Sequence, residues 1–222
     1  MPRQIYKKKN GDRVGGVTTI ISNSSPKPQL MNWAWKLGKE GKDFNVERKN
    51  AAAAGTATHA MIEAHIGGTD AQDIGGLCLT DDLTPDMTTR ANDCFDTYLH
   101  WKEQNEVEAI ETELSLVSEK YGYGGTMDLY GRINDGPPCV ADWKTSGKAP
   151  RIYPEVLVQL AAYRQLLEEN DRFVIGEAHA VCFGIDEHDH RTWSAGELDD
   201  AFALFLLYLE AYKLRKIVEK RV

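Results

Sequence analysis

Residues 122–144 read GYGGTMDLYGRINDGPPCVADWK, and their alternation decides the fold. Successive side chains of a strand point to opposite faces, so on Cys139-Val140-Ala141-Asp142-Trp143-Lys144 the pair Asp142 and Lys144 projects one way and Ala141 and Trp143 the other. On the stretch Gly125 to Gly131, Thr126, Asp128 and Tyr130 share a face while Met127 and Leu129 offer apolar surface opposite. Asn134-Asp135-Gly136-Pro137-Pro138 between them is a turn signal. If the two strands are neighbours, Asp128 approaches Asp142. Two carboxylates forced together repel, and one pKa rises unless a divalent cation binds between them as a hard acid with oxygen ligands. A lysine beside that ion positions water and neutralises charge on a phosphate oxygen. From spacing alone, a surface Asp–Lys pair at a strand end reads the same way.

Working outward, a third strand is expected from Ala109 to Ser118, with Tyr121-Gly122-Tyr123-Gly124 as the turn into the next. Glu113 lies there on the face opposite Leu114 and Leu116, and Glu111, two residues earlier on the same face, is its rival for one role. Downstream, the pattern predicts a helix over 155–168 that aligns Gln159 with Tyr163, and an inward glutamine needs a hydrogen-bond partner. A buried strand over 178–185 follows, then a final helix opened by a Ser194/Glu197 capping box. The region before 108 reads helical: Pro28 to Leu37, Ala51 to Ile66 ended by Gly67-Gly68, and a helix from the Thr84-Pro85 cap to about Val107. In Gly55-Thr56-Ala57-Thr58-His59-Ala60-Met61-Ile62-Glu63, His59 and Glu63 fall on one helical face and Gly55 permits close backbone approach. The expected fold is α/β: a mixed central sheet flanked by helices, with a helical N-terminal extension. It is laid out as one domain over 1–222, mainly helical over 1–107, a sheet core over 108–195 and a C-terminal helix over 196–222.

In order and spacing, Gly55-Thr56-x-x-His59-x-x-x-Glu63, Glu113, Gly122 to Asp128, Asp142-Trp143-Lys144-Thr145 and Gln159-x-x-x-Tyr163 resemble the PD-(D/E)XK nuclease superfamily in its RecB-like branch. Val17-Thr18-Thr19-Ile20-Ile21 followed by Pro28-x-Leu30-x-x-Trp33-Ala34 is similar to the start of phage-type and mitochondrial genome maintenance exonucleases. The resemblance implies a restriction-endonuclease-like core and a Mg²⁺- or Mn²⁺-dependent exonuclease acting on DNA. It implies that Asp128, Asp142 and the main-chain carbonyl of Trp143 ligate the metal, with His59 as an added ligand. Lys144 is then the catalytic lysine, Glu113 the acidic residue of the first core strand, and Gln159 and Tyr163 the pair that orients the site and approaches DNA. A restriction-like or structure-specific endonuclease, and an inactive DNA-end-binding module, remain the alternatives. A recombination or replication protein is an expected partner, the oligomeric state is left open, and the expected location is a bacterial or phage-infected host cytoplasm.

Composition narrows the classes further. A chain of 222 residues, 42% hydrophobic and 27% charged, is long enough for a sizeable core, which sets disorder and collagen aside. The longest apolar run, Ala201 to Leu209, is nine residues against the ~20 of a membrane helix, so no membrane partner is expected. Net charge is −8, yet residues 1–50 carry eleven Lys/Arg against four Asp/Glu, residues 51–210 ten against twenty-nine, and the last twelve five against one. A basic surface for phosphates can therefore coexist with an acidic, cation-holding region. Lys36, Lys39 and Lys42, with Arg48 and Lys49, are expected to line the DNA path, with Trp33 or Trp35 stacking bases. Cys78, Cys94, Cys139 and Cys182 are too far apart for a zinc ribbon, so free thiols and no iron–sulfur cluster are expected; nor is there a phosphate-binding lysine loop for a nucleotide cofactor. His188 and His190, with Asp186 and Asp189, are read as an exposed charged turn.

Overall fold

A computed structural model describes residues 4–80, 82–147, 149–172 and 176–221. A short hairpin, β1 (Tyr6–Lys7) and β2 (Arg13–Gly16), leads into α1 (Val17–Ser24), α2 (Pro28–Lys39), α3 (Phe44–Ile66), α4 (Ala71–Cys78) and α5 (Pro85–Glu103). The core continues with β3 (Val107–Ser118), β4 (Tyr123–Ile133), β5 (Cys139–Thr145), α6 (Pro154–Glu169), β6 (Glu177–Phe183), β7 (His188–Ser194) and α7 (Ala195–Glu219).

The result is a central mixed sheet flanked by helices, ordered β1-β2-β4-β5-β6-β7, with β3 paired to β4. Antiparallel β3 follows β4 from Tyr123 to Ile133, so β2 and β5 must share the opposite edge of β4. β2 pairs there in parallel at Tyr123 and Gly124, and β5 antiparallel at Leu129 to Gly131. Among the described residues, Gly125 to Asp128 have no ladder partner on that edge. Beyond Ala141, β5 stays paired to β6 through Thr145 while it parts from β4.

Asp142 and Trp143 point to opposite sides of β5, and the two helical layers follow from that. On one side α6 sends Gln159 to Asp142. On the other, α5 packs Trp101 against Trp143 and Phe183, with ring centroids 5.7 and 6.0 Å apart. Tyr98, Trp101, Met127, Leu129, Leu160 and Phe183 are almost wholly buried along this core. Burial of this apolar surface, at ~25 cal/mol per Å², is the main force holding the layers together.

The helix ends explain where sequence periodicity misjudges the elements. α3 begins at Phe44 rather than Ala51 because Asp43 caps it, accepting from the N–H groups of Asn45 and Val46 at 2.8 and 3.0 Å. Its polar first turns carry no apolar stripe to announce them. α5 ends at Glu103 rather than near Val107, since Val107 already pairs with Ile133 in the sheet. Residues 188–194 form a sheet-edge strand rather than an exposed charged turn: an edge strand tolerates His, Asp and Arg on its open side. His190 is half-buried there, its Nδ1 accepting from Trp101 Nε1 at 3.3 Å. Cys94, Cys139 and Cys182 are buried free thiols, and Cys78 is half-buried and free. No helix among the described residues is long and apolar enough to cross a membrane.

Candidate active site

The site gathers where β4 and β5 part. Their last paired residues are Leu129 and Ala141, and the next residue on each strand is Asp128 and Asp142. The space between the strands is bridged by the Trp143 N–H, which donates to Asp128 Oδ2 at 2.6 Å. Asp128 Oδ1 faces His59 Nδ1 of α3 at 3.4 Å. Glu113 of β3 completes a group in which one ligand atom each from His59, Glu113 and Asp128 lie within 4.8 Å of one another.

Glu113 reaches this group through an irregular strand. The β3–β4 register shifts by one residue between Ala109 and Glu111, a β-bulge, and Glu113 itself adopts φ 47°, the left-handed region. That backbone interrupts the alternation which would treat Glu111 and Glu113 alike. Glu111 instead pairs with Arg172 at 2.8 Å, so the structure separates the two candidates and brings only Glu113 to the site.

Asp142 stands outside the tight group and is held by other partners. Its Oδ2 meets the Lys144 ammonium as an ion pair and takes no other donor, and its Oδ1 accepts from Gln159 Nε2 at 2.7 Å. The second N–H of Gln159 goes to Tyr163 Oη at 2.9 Å. Both Gln159 hydrogens are thus spent within the protein, and Gln159 and Tyr163 are only 8% and 2% exposed. They position Asp142 rather than present themselves to a ligand. The Tyr163 ring fits because β4 has Gly125 beneath it: a Cβ there would lie 2.6 Å from the ring.

Electrostatics follow from crowding three carboxylates with one ammonium and one imidazole. Burial, with Asp128 and Glu63 nearby, pushes Glu113 up to about 7. Burial, and then Asp128, raises Asp142 to about 6 despite Lys144. Burial opposes the charges on Lys144 and His59, but Asp142 and Asp128 outweigh it, and both pKa values rise. Asp128 goes the other way, since His59 and Lys144 overcome its burial. An excess of carboxylate with hard oxygen donors and one imidazole fits a divalent cation.

Elsewhere the expected DNA contacts divide. On α2, Trp35 is 64% exposed with Lys39 over its ring at 4.5 Å, whereas Trp33 packs edge-on against Phe44 at 5.3 Å. Lys42 pairs with Glu40 at 3.1 Å, and Lys36 lies in the last turn of α2. Sequence periodicity missed a polar cluster beside Asp128, in which Thr126 Oγ1 meets Tyr6 Oη at 2.9 Å and Ser115 Oγ at 2.6 Å. Tyr6 sits on a two-residue strand, too short to leave a periodic signal.

No protein-family model and no curated protein sequence matches the chain. Among solved structures it is similar to a candidate exonuclease from Eubacterium rectale, at 14% identity over 69% of this chain and 64% of that one, with a TM-score of 0.43. The chain thus spans just under two thirds of that protein's length. An alkaline exonuclease from Laribacter hongkongensis is similar at 14% identity over 73% of this chain and 93% of that one, TM-score 0.33. Its complex with dAMP gives 15%, 79%, 100% and 0.32.

Proposed function

We propose that this chain is a divalent-cation-dependent deoxyribonuclease that hydrolyses phosphodiester bonds and works from DNA ends. The observation that carries the proposal is the convergence of His59, Glu113 and Asp128 beside the Asp142–Lys144 pair, where β4 and β5 part. Binding alone does not need such a cluster, and a structural ion pair does not need a left-handed glutamate beside it.

In this proposal His59, Glu113 and Asp128 hold the cation, with Asp142 and the main chain at Trp143 adjoining. A bound Mg²⁺ or Mn²⁺ would supply Lewis-acid activation of water and neutralise charge on the phosphate. Lys144, held charged by Asp142, would orient the attacking water and face the developing negative charge on the phosphoryl oxygens. Gln159 and Tyr163 keep Asp142 in register. Lys36 and Lys39 of α2, Lys42 just beyond its end, and exposed Trp35 would guide the strand.

The deciding experiment offers matched linear and covalently closed DNA, single- and double-stranded, with each end blocked in turn. Degradation confined to linear DNA supports the exonuclease; cutting of closed circles selects an endonuclease using the same site. Cation-dependent binding with no cleavage leaves an inactive end-binding module.

A further inference from the structure

The two basic ends of the sequence meet in the fold. The β1–β2 hairpin, the turn before β4 and the C-terminal half of α7 enclose an open groove of about 530 Å³. Lys8, Arg13, Lys120, Lys213 and Lys216 line it. Among the described residues the sole acid in its lining, Asp12, is engaged by the Asn10 side chain at 2.8 Å. Among the described residues none of the five cations forms an ion pair. A chain of net charge −8 has brought basic residues from both ends, and one from between, to a single place. Five cations against one carboxylate repel one another on balance, and the arrangement becomes favourable when an anion occupies it.

The groove is built rather than incidental. Gly15 pairs with Tyr123 of β4, and a Cβ on Gly15 would lie 2.7 Å from the Tyr212 ring, so α7 closes directly on the hairpin. Lys213 Nζ donates to the Tyr121 carbonyl at 2.9 Å, and Lys216 lies over the Tyr212 ring at 4.5 Å. These contacts hold the two ammonium groups at the groove wall.

We infer that this groove binds the phosphodiester backbone of the nucleic-acid substrate at a distance from the point of cleavage, an inference that rests on the nuclease reading of Asp128 and its neighbours. The strand itself joins the two places. Gly15 of the groove wall pairs with Tyr123, and Asp128 is five residues further along β4, or ~17 Å at ~3.4 Å per residue. Phosphates of one duplex strand recur every ~3.4 Å along the axis, so the span is about five base pairs. A mononucleotide cannot touch both places, whereas a polymer can.

The test measures binding of a fluorescent 24-residue oligonucleotide, as a duplex and as a single strand, by anisotropy in chelator so that no cleavage occurs. The triple variant Arg13→Gln, Lys213→Gln, Lys216→Gln should bind the 24-mer at least ~10-fold more weakly at 0.1 M salt. Its slope of log affinity against log salt should be shallower by about 2.7 for the duplex, at ~0.9 per phosphate contact. Lys216→Gln alone, which removes no hydrogen bond, should flatten the slope by about 0.9 and guards against misfolding of the triple variant. Unchanged slopes in both variants would overturn the groove assignment. So would displacement of the 24-mer by polyglutamate at matched charge, which would give the groove to an acidic peptide. A parent chain that binds the 24-mer through these residues but never cleaves it with Mn²⁺ leaves the groove standing and removes the nuclease reading. Cleavage with unchanged slopes does the reverse.

Discussion

Gly55 of α3 and Thr145 of β5 touch: a Cβ on Gly55 would meet Thr145 Oγ1 at 2.9 Å. The helix that carries His59 is thereby pressed onto the strand that carries Asp142 and Lys144. Gly55→Val should push the two apart, at a cost of about 1–3 kcal/mol for overpacking, and should weaken Mn²⁺ binding by displacing His59 from Asp128. Thr145→Ala in the same chain removes the clashing oxygen and should restore much of both. Urea unfolding and calorimetric titration of the two single variants and the double give the coupling; strictly additive effects would show that the contact does not set the site.

Lys144→Ala strips Asp142 Oδ2 of its cation. In metal-free protein this should cost on the order of 2 kcal/mol, less than the ~3–5 of a fully buried pair because the Lys144 side chain is 32% exposed. Asp142→Asn keeps the shape and the bond from Gln159. Both variants should lose cleavage by ~10²-fold or more, but only the aspartate change should weaken Mn²⁺ binding markedly. Robust turnover by either would remove the site assignment.

Cation binding should tighten with pH. Glu113, pushed up to about 7, and Asp142, raised to about 6, must shed protons, and His59 must be neutral, before a cation is held. The sign for the metal-free protein is opposite. A carboxyl whose folded pKa lies above its unfolded one favours folding at low pH, and Glu113 loses that contribution as pH rises through about 7. Thermal melts at pH 5.5 and 8 should therefore show a larger Mn²⁺ stabilisation at pH 8. Glu113→Gln should shrink the difference, and equal shifts at both pH values would contradict the ligand set.

A separate acid sensitivity is expected from His179. Burial, and then His190 with its Nε2 3.2 Å from His179 Nδ1, hold it down to about 4. The Trp101 N–H makes His190 Nδ1 an acceptor, so His190 Nε2 carries the proton and His179 Nδ1 accepts in turn. Stability from this neutral pair is complete above the unfolded pKa of ~6.5 and is lost as pH falls toward 4, in total ~3 kcal/mol. Urea midpoints at pH 7.5, 5.5 and 4.5 should fall accordingly, and less steeply in His179→Gln.

Much of the site was legible because strands alternate strictly. The projection of Asp142 with Lys144, and the approach of Asp128, follow from the period of two and were found as expected. The inward Gln159 found its partner in Asp142. What alternation could not resolve was Glu111 against Glu113, because a one-residue bulge and a left-handed backbone lie between the sequence and the answer. β7 was hidden for a different reason: an edge strand wetted on one side needs no apolar repeat. The hairpin that builds the basic groove was too short for any periodicity, and only its charge was visible beforehand.

The four residues Gly125 to Asp128 form an open strand edge inside a sheet, and unpaired edges ordinarily invite other chains to add a strand. β2 closes one end of this opening at Gly124 and β5 the other at Leu129. An incoming β-strand would collide with both before it made more than a few hydrogen bonds, whereas a phosphate with its cation is small enough to enter. The same interruption of the ladder that leaves Asp128 free to turn to His59 and Trp143 is therefore too short for edge-to-edge pairing.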